Sequence, residues 1–153
     1  MHTSVENILF VAMSHSLTND QIEDARNVFD IKKIVTLAES NPQLSKIFSQ
    51  VPASWDLDPI IDLSESLVKE AIKAAATHFY CVGQPSLAIW ANLIASGNAL
   101  HVDTYKNRVG EKVSSKMKCI ESTTERTSEE QLQSDGTVLK TSSFRHIRWR
   151  EVI

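Results

Sequence analysis

The sequence predicts an α/β fold: a small, Rossmann-like, mostly parallel sheet flanked by helices and completed by a C-terminal antiparallel hairpin. Short apolar segments alternate with amphipathic segments of about ten to fifteen residues, as in βαβ units. The apolar segments are continuous rather than alternating, which is typical of strands buried on both faces of a parallel sheet. Near the C-terminus, two segments rich in β-forming residues surround an Asp-Gly pair, a strong hairpin signal.

The first strand and helix are joined by the loop Ser14-His15-Ser16-Leu17-Thr18. Residues 8–13 (ILFVAM) predict a buried strand. Thr18 and Gln21 then form a T-x-x-Q capping box, and Ile22, Ala25, Val28 and Phe29 follow at helical spacing. The loop is therefore expected to lead into a capped helix.

The segment after this helix begins with a second predicted strand at residues 33–37 (KIVTL). A less regular stretch follows, containing an amphipathic piece at 44–48 and divided by Pro42, Pro52 and Pro59. We expect this stretch to pack across the sheet. Residues 63–76 then predict a helix, with Ser64 or Ser66 as its N-cap.

A third strand and its helix repeat the pattern of the first. Residues 78–82 (HFYCV) predict the strand, and the turn Gly83-Gln84-Pro85-Ser86 separates it from an apolar helix that ends before Gly97. Residues 99–115 are polar with a weak helical pattern, which leaves open an extension of that helix or a surface excursion.

The C-terminal hairpin is predicted from residues 117–127 and 138–152, on either side of Ser134-Asp135-Gly136-Thr137. With no repeat or linker composition in the chain, residues 1–153 are expected to form one domain.

Composition and charge exclude several classes of protein. With 42% hydrophobic and 23% charged residues, the chain of 153 residues has the composition of a globular domain. A net charge of −3 argues against a duplex DNA partner, although helix N-termini and local cations can still hold a small anion. No apolar run reaches a membrane span, and residues 1–7 lack the features of a secretory signal, so we expect a cytoplasmic protein without a membrane partner.

Several familiar cofactor and nucleophile motifs are absent. The sequence has no G-x-G-x-x-G after the first strand, no Walker loop, no H-E-x-x-H and no G-x-S-x-G. Cys81 lies in an apolar strand and Cys119 shows no sign of activation, so neither is expected to act as a nucleophile. The five histidines show no metal-ligand spacing. We therefore predict neither a cofactor nor a metal.

The candidate ligand site lies at the carboxyl ends of the parallel strands, where open α/β sheets bind ligands. The first loop offers Ser14, His15, Ser16 and Thr18, although Thr18 is interpreted mainly as the helix cap. The second offers Gly83, Gln84 and Ser86, of which Gln84 and Ser86 also suit caps; Gly83 would let the backbone approach a ligand closely. The two loops can form one ligand site only if the fold places them side by side.

A basic cluster lies in the last predicted strand, at Arg145, His146, Arg148 and Arg150. Strand alternation predicts that Arg145 faces away from the other three, and solvated edge-strand charge explains Arg148 and Arg150. Thr123, Thr124 and Arg126, on or just beyond the partner strand, are expected within reach of the crevice.

The chain resembles the small standalone CRISPR-associated ring nucleases of type III systems, Rossmann-like relatives of CARF domains. The resemblance is distributed along the chain, and the residues that carry it are Ser14-His15, Leu17-Thr18, Gln21-Ile22-Glu23-Asp24-Ala25, Tyr80-Cys81-Val82-Gly83-Gln84, Asp135-Gly136-Thr137 and Phe144-Arg145-His146-Ile147-Arg148-Trp149-Arg150.

The resemblance implies a homodimer that binds cyclic oligoadenylate, typically the four-membered ring, and cleaves it to switch off an antiviral signal. A two-fold symmetric ring matches an isologous dimer whose paired loops each hold half of it. RNA carries its own nucleophile, the ribose 2′-hydroxyl, so that alignment and charge stabilisation can suffice without a metal.

On this hypothesis, His15 transfers a proton and Arg126 stabilises charge, while Ser14, Ser16, Gly83, Gln84, Ser86, Thr123 and Thr124 bind the ligand. Two alternatives stay open: a non-catalytic sensor of the same ring, and an unrelated nucleotide-binding α/β enzyme.

Overall fold

The computed structural model describes residues 5–153. Residues 1–4, which include His2 and the start of the segment considered for a secretory signal, lie outside the described residues. Within residues 5–153, no helix combines the length and the hydropathy that crossing a membrane requires.

The predicted fold class is confirmed by a five-stranded sheet with the order β2-β1-β3-β4-β5. The pairs β1–β2, β1–β3 and β3–β4 are parallel, and β4–β5 is antiparallel. This arrangement places the first strand at the centre of the parallel part and the hairpin at one edge. The strands are β1 Ile8–Ala12, β2 Lys33–Thr36, β3 His78–Cys81, β4 Lys118–Leu132 and β5 Val138–Glu151.

Six α-helices and one 3-10 helix connect the strands in the described part of the chain. The 3-10 helix, Asn98–His101, and a short helix after it occupy the start of the segment 99–115, which therefore does not extend the preceding helix as one continuous element. The α-helices are α1 Asn19–Phe29, α2 Leu37–Ser40, α3 Pro42–Ser49, α4 Leu57–Lys73, α5 Pro85–Ser96 and α6 Asp103–Lys106.

Helix α4 begins earlier than predicted. It starts at Leu57 rather than near residue 63, and Pro59 lies in its first turn, where the missing N–H has no intrahelical partner to lose. The expectation that Ser64 or Ser66 caps this helix is wrong. Both are inside it, and their hydroxyls donate to carbonyls four residues earlier.

The sheet has a core on each face. One core lies beneath α1 and contains Leu9, Val11, Tyr80, Ile120 and Trp149. The other lies beneath α3, α4 and α5, and is built around Phe10, Phe79, Leu67, Leu87 and Ile94. Strand β1 therefore contributes side chains to both cores, as its uninterrupted apolar sequence predicts.

The hairpin is longer than predicted and extends beyond the rest of the sheet. Strand β3 ends at Cys81, level with Glu121 by the register of β3 with β4. Strand β4 continues from there to Leu132, roughly 36 Å further at about 3.3 Å per residue. We call residues 124–147 the arm; nearly all of its side chains are exposed.

A β-bulge at the base of the arm changes which side chains share a face. The register shifts between Thr123, which pairs with Arg148, and Thr124, which pairs with His146. The prediction that Arg145 faces away from Arg148 is therefore wrong. The extra residue, Ile147, places Arg145 on the same face as Arg148, and turns His146 to the opposite face beside Trp149.

Candidate functional site

The loop at Ser14 lies between the carboxyl end of β1 and the N-terminus of α1. Its far end is fixed by the predicted capping box: Gln21 N donates to Thr18 Oγ1 (3.2 Å), and Thr18 N donates to Gln21 Oε1 (2.9 Å). The loop itself is exposed at Ser14, His15 and Ser16. The strand and the capped helix therefore fix both ends of the loop, and the polar side chains between them are exposed to solvent.

These three loop residues line one cleft of about 590 Å³, a volume typical of small-ligand sites. The structure adds four polar residues that the sequence did not single out. They come from α1, from the end of β2 and from the two helices after it: Arg26, Thr36, Glu39 and Ser45. The cleft therefore combines one imidazole, one guanidinium, one carboxylate and several hydroxyl groups. We call it the His15 cleft.

Arg26 is the cation of this cleft. It lies one helical turn after Ile22, which lines the same cleft, so the i,i+4 spacing on α1 carries both toward the loop. Within residues 5–153 its side chain forms no salt bridge. The sequence contains a signal that identifies Arg26. The Thr18 cap fixes where α1 begins, and therefore which residues share a face with Ile22.

The second predicted loop lines a different cleft. Gln84 and Ser86 border a space of about 490 Å³ beside Trp55 and α4. Gln84 Oε1 accepts a hydrogen bond from Leu87 N (2.9 Å), so its cap role is confirmed. Gln84 and Ser86 therefore do not line the cleft that contains His15.

Helix α3 separates the two loops. A Cβ on Gly83 would lie 2.8 Å from the Phe48 ring, so the glycine accommodates an aromatic side chain of the protein itself. On the other side, the hydroxyl groups of Ser14 and Ser49 are 3.2 Å apart. The crevice between β1 and β3, where the strand order reverses, is thus divided into two clefts by the end of α3.

The remaining candidates lie on β4 at the arm. Thr123 Oγ1 donates to Arg148 O (3.0 Å) and accepts from Arg148 N (3.2 Å), which holds the bulge together. Thr124 is exposed just beyond it. The Arg126 guanidinium donates to Ser142 Oγ (3.2 Å) and lies 5.7 Å from the centre of the Phe144 ring. None of these threonines, nor Arg126, lines the His15 cleft.

A chain of hydrogen bonds fixes the base of the arm to α1. Gln21 Nε2 donates to Ser122 Oγ (3.2 Å), and the Ser122 hydroxyl lies 2.6 Å from His146 Nδ1. His146 Nε2 donates to Asp24 Oδ2 (2.8 Å), and the imidazole is almost fully buried. The Trp149 indole Nε1 also donates a hydrogen bond to Gln21 O (2.9 Å). His146 is therefore a structural residue rather than part of an exposed basic patch.

A cleft of about 600 Å³ lies at the opposite, amino edge of the sheet, lined in part by Asn7, His78, Lys116 and Lys118. Burial is the main cause that lowers the pKa of His78, and the nearby Lys118 lowers it further. We place the candidate site in the His15 cleft because parallel sheets bind ligands at the carboxyl edge, where loops and helix N-termini converge.

Both thiols are buried, an environment that disfavours their action as nucleophiles. Burial raises the pKa of Cys81 and of Cys119 to about 12, so almost no thiolate forms at neutral pH. The groups that remain available for chemistry in the His15 cleft are His15, the hydroxyls around it, Arg26 and Glu39. Together they can bind an anion and move a proton.

One family comparison covers nearly the whole chain. The model of the Uncharacterized protein MJ1673 family matches residues 7–150. No curated protein and no solved structure matches the chain. The chain belongs to the Uncharacterized protein MJ1673 family.

Proposed function

We propose that this protein is a ring nuclease that binds cyclic oligoadenylate and cleaves it without a metal. The observation that carries the proposal is the His15 cleft, which brings an imidazole, a guanidinium and hydroxyl groups together at the carboxyl edge of the sheet. The distributed resemblance to the CRISPR-associated ring nucleases supplies the substrate class. On the same grounds we propose that the protein acts in the cytoplasm, where it would lower an antiviral signal.

The proposed reaction uses the nucleophile that RNA already carries. The ribose 2′-oxygen bonds to the adjacent phosphorus, and the bond from phosphorus to the 5′-oxygen breaks. The 2′-hydroxyl gives up its proton and the leaving 5′-oxygen gains one, so a 2′,3′-cyclic phosphate and a 5′-hydroxyl result. His15 is the group we propose for proton transfer, since imidazole is the side chain best suited to that role near neutral pH.

Binding is assigned to the other polar groups around His15. Ser14 and Ser16 would hold phosphate or ribose oxygens, and Arg26 would balance the charge of the scissile phosphate. Arg26 replaces Arg126 in this role because it lines the cleft, whereas Arg126 lies on the arm. Glu39, which also lines the cleft, is suited to accept hydrogen bonds from ribose or adenine.

The first test is cleavage of pure cyclic tetra-adenylate by the full chain in EDTA, with products separated by chromatography. We expect linear products ending in a cyclic phosphate. Linear tetra-adenylate in a parallel reaction measures the selectivity for rings. An intact ring after prolonged incubation at high protein concentration would overturn the nuclease proposal, and binding without cleavage would identify a sensor instead.

The second test replaces His15 by alanine. We expect cleavage to slow by roughly 10²–10⁴-fold, the usual contribution of a general acid–base group, while the affinity for the ring changes little. His101→Ala is the matched control, since that histidine is also exposed and lies outside the cleft. Equal rates for the two variants would remove His15 from the mechanism.

The third test separates Arg26 from Arg126. Arg26→Ala should weaken binding of the ring, and Arg26→Lys should restore part of it because the charge is kept. Arg126→Ala should leave the affinity of the cleft for the ring unchanged. The opposite pattern would return the charge-stabilising role to Arg126.

A further inference from the structure

The arm has one face whose side chains suit contact with another chain. Cross-strand pairs place Arg126 with Phe144, Ser128 with Ser142, and Glu130 with Lys140 on this face, and Leu132 with Val138 beyond them. We call these eight residues the Phe144 face. Its three apolar side chains are well exposed: 71% at Phe144, 53% at Val138 and 79% at Leu132.

The arm is unusual because it receives so little support from the rest of the chain. A two-stranded hairpin is at best marginally stable in water without a hydrophobic face packed on something else. Beyond the bulge, nearly every side chain of the arm is exposed, including those three apolar residues. The Phe144 face therefore has the composition of a surface that is covered in the working protein.

The order of residues on the Phe144 face is complementary to itself. Its centre is the pair Ser128–Ser142, whose small side chains permit close approach. Arg126 and Phe144 lie one pleat toward the base, and Glu130 and Lys140 lie one pleat toward the tip, where they form a salt bridge of 3.4 Å. Opposite charges thus lie at equal distances on either side of the centre.

We propose that the Phe144 face is the interface between two copies of this chain. A two-fold axis through the Ser128–Ser142 pair stacks the two arms face to face in opposite directions, so β4 lies over β4 and β5 over β5. Arg126 then meets Glu130 of the second copy, and Lys140 meets Phe144 of the second copy. Each contact occurs twice, because the interface is isologous.

This pairing also accounts for the other features of the face. Lysine over a phenylalanine ring combines a cation–π contact with burial of the lysine stem. Leu132 is carried over Thr124 of the second arm, and Val138 over its His146, where α1 meets the base of the arm. The inference concerns assembly, and it stands or fails independently of the chemistry proposed for the His15 cleft.

The test is a charge exchange measured by sedimentation equilibrium of the full chain. Arg126→Glu and Glu130→Arg should each weaken the dimer by roughly tenfold or more, since each places like charges together at two symmetric positions. The double variant R126E/E130R should bring the affinity back to within a few-fold of the original. Two single variants that associate as well as the original chain would overturn the proposed register.

Adjacent residues at the tip supply a second, matched pair. Val138 and Leu139 are 53% and 49% exposed, but they lie on opposite faces of the arm. Val138→Asp should weaken the dimer, whereas Leu139→Asp should leave it intact; circular dichroism checks that both variants fold. Equal effects of the two substitutions would overturn the assignment of the face, and a monomeric original chain at high concentration would overturn the interface itself.

Discussion

At the scale of single residues, His78 is a titratable group whose pKa is lowered by burial. It lies on β3 among buried side chains, its Nδ1 is 2.8 Å from Thr77 Oγ1, and its ring is tilted against Phe29 at 5.2 Å. Burial lowers its pKa first and Lys118 lowers it further, whereas Glu151 acts in the opposite direction. The neutral imidazole is therefore the form that the folded protein prefers.

This preference predicts a loss of stability in acid. Since the pKa of His78 is lower in the folded chain than its ordinary value of 6.5, the unfolded chain binds the proton first as the pH falls. The contribution of the neutral histidine is present above pH 6.5 and is lost as the pH falls from there through the lower folded pKa. Urea unfolding at pH 7.5 and 5.0 should show a smaller acid-induced decrease for His78→Gln than for the original chain.

His101→Gln is the control for that measurement, because His101 is exposed. We expect this variant and the original chain to lose the same stability between the two pH values. Parallel curves for the original chain and His78→Gln would mean that other groups cause the acid sensitivity.

The sequence predicts which residues lie at the carboxyl edge of the sheet better than it predicts which side chains surround them. The position after a buried strand predicts Ser14, His15 and Ser16 as candidates, and the structure places all three in one cleft. Gly83 was also singled out, but the atom it accommodates belongs to Phe48, 35 positions earlier in the chain. Local sequence indicates that a glycine is needed, whereas only the packing of α3 shows what it is needed for.

At the scale of elements, α1 depends on its capping box. Thr18→Ala removes the oxygen that accepts from Gln21 N, and caps of this kind contribute about 0.5–2 kcal/mol. We expect the free energy of unfolding to decrease by about 1 kcal/mol in a denaturant titration. Because Gln21 also donates to Ser122, some of this loss should appear as easier local opening at the base of the arm.

Thr18→Ser is the matched variant, since it keeps the hydroxyl group and should retain most of the stability. Thr18 does not line the His15 cleft, so both variants should bind ligand with unchanged affinity. A reduced affinity in Thr18→Ala alone would show that the cap also positions the loop.

Elements with local signals were predicted, and those that depend on distant partners were not. The first helix and the helix after β3 follow from their caps and spacing. The bulge between Thr123 and Thr124 leaves no comparable mark in the sequence. It is stabilised by a hydrogen-bonded ring between two strands, and by His146 reaching Asp24 on a helix more than a hundred residues earlier.

At the scale of the whole molecule, the fold class followed from the order of segments, but the length of the arm did not. Ser128, Glu129, Glu130 and Gln131 include none of the β-branched and aromatic residues that favour strands, and the predicted strand ends at residue 127. Backbone pairing with residues 139–142 carries the strand through them nonetheless. Strand propensity is a property of a single residue, whereas the hydrogen bonds of a hairpin depend on the residues of the opposite strand.

The arm interface also predicts how many ligands the dimer binds. Its two-fold centre, Ser128, lies seven residues beyond Glu121 along β4, so the carboxyl edges of two paired copies are up to roughly 45 Å apart. A single ring shared by both loops, as the sequence resemblance implies, does not fit this spacing. We therefore expect one cyclic tetra-adenylate for each chain.

Calorimetric titration of the slow-cleaving His15→Ala variant measures this number directly. One ring for each chain agrees with separate clefts. One ring for every two chains would contradict the arm register and restore the paired-loop arrangement.

Strand alternation within the arm restricts how its length can vary among related chains. One extra residue in β4 between Arg126 and Glu130, with a matching extra residue in β5, would keep the hairpin intact. It would, however, turn Glu130 and every residue beyond it to the other face. Insertions of two residues in each strand would keep the face and only lengthen the overlap. Related chains can therefore differ in the length of the arm between these two positions. If their arms still form the dimer, we expect the difference to be an even number of residues in each strand.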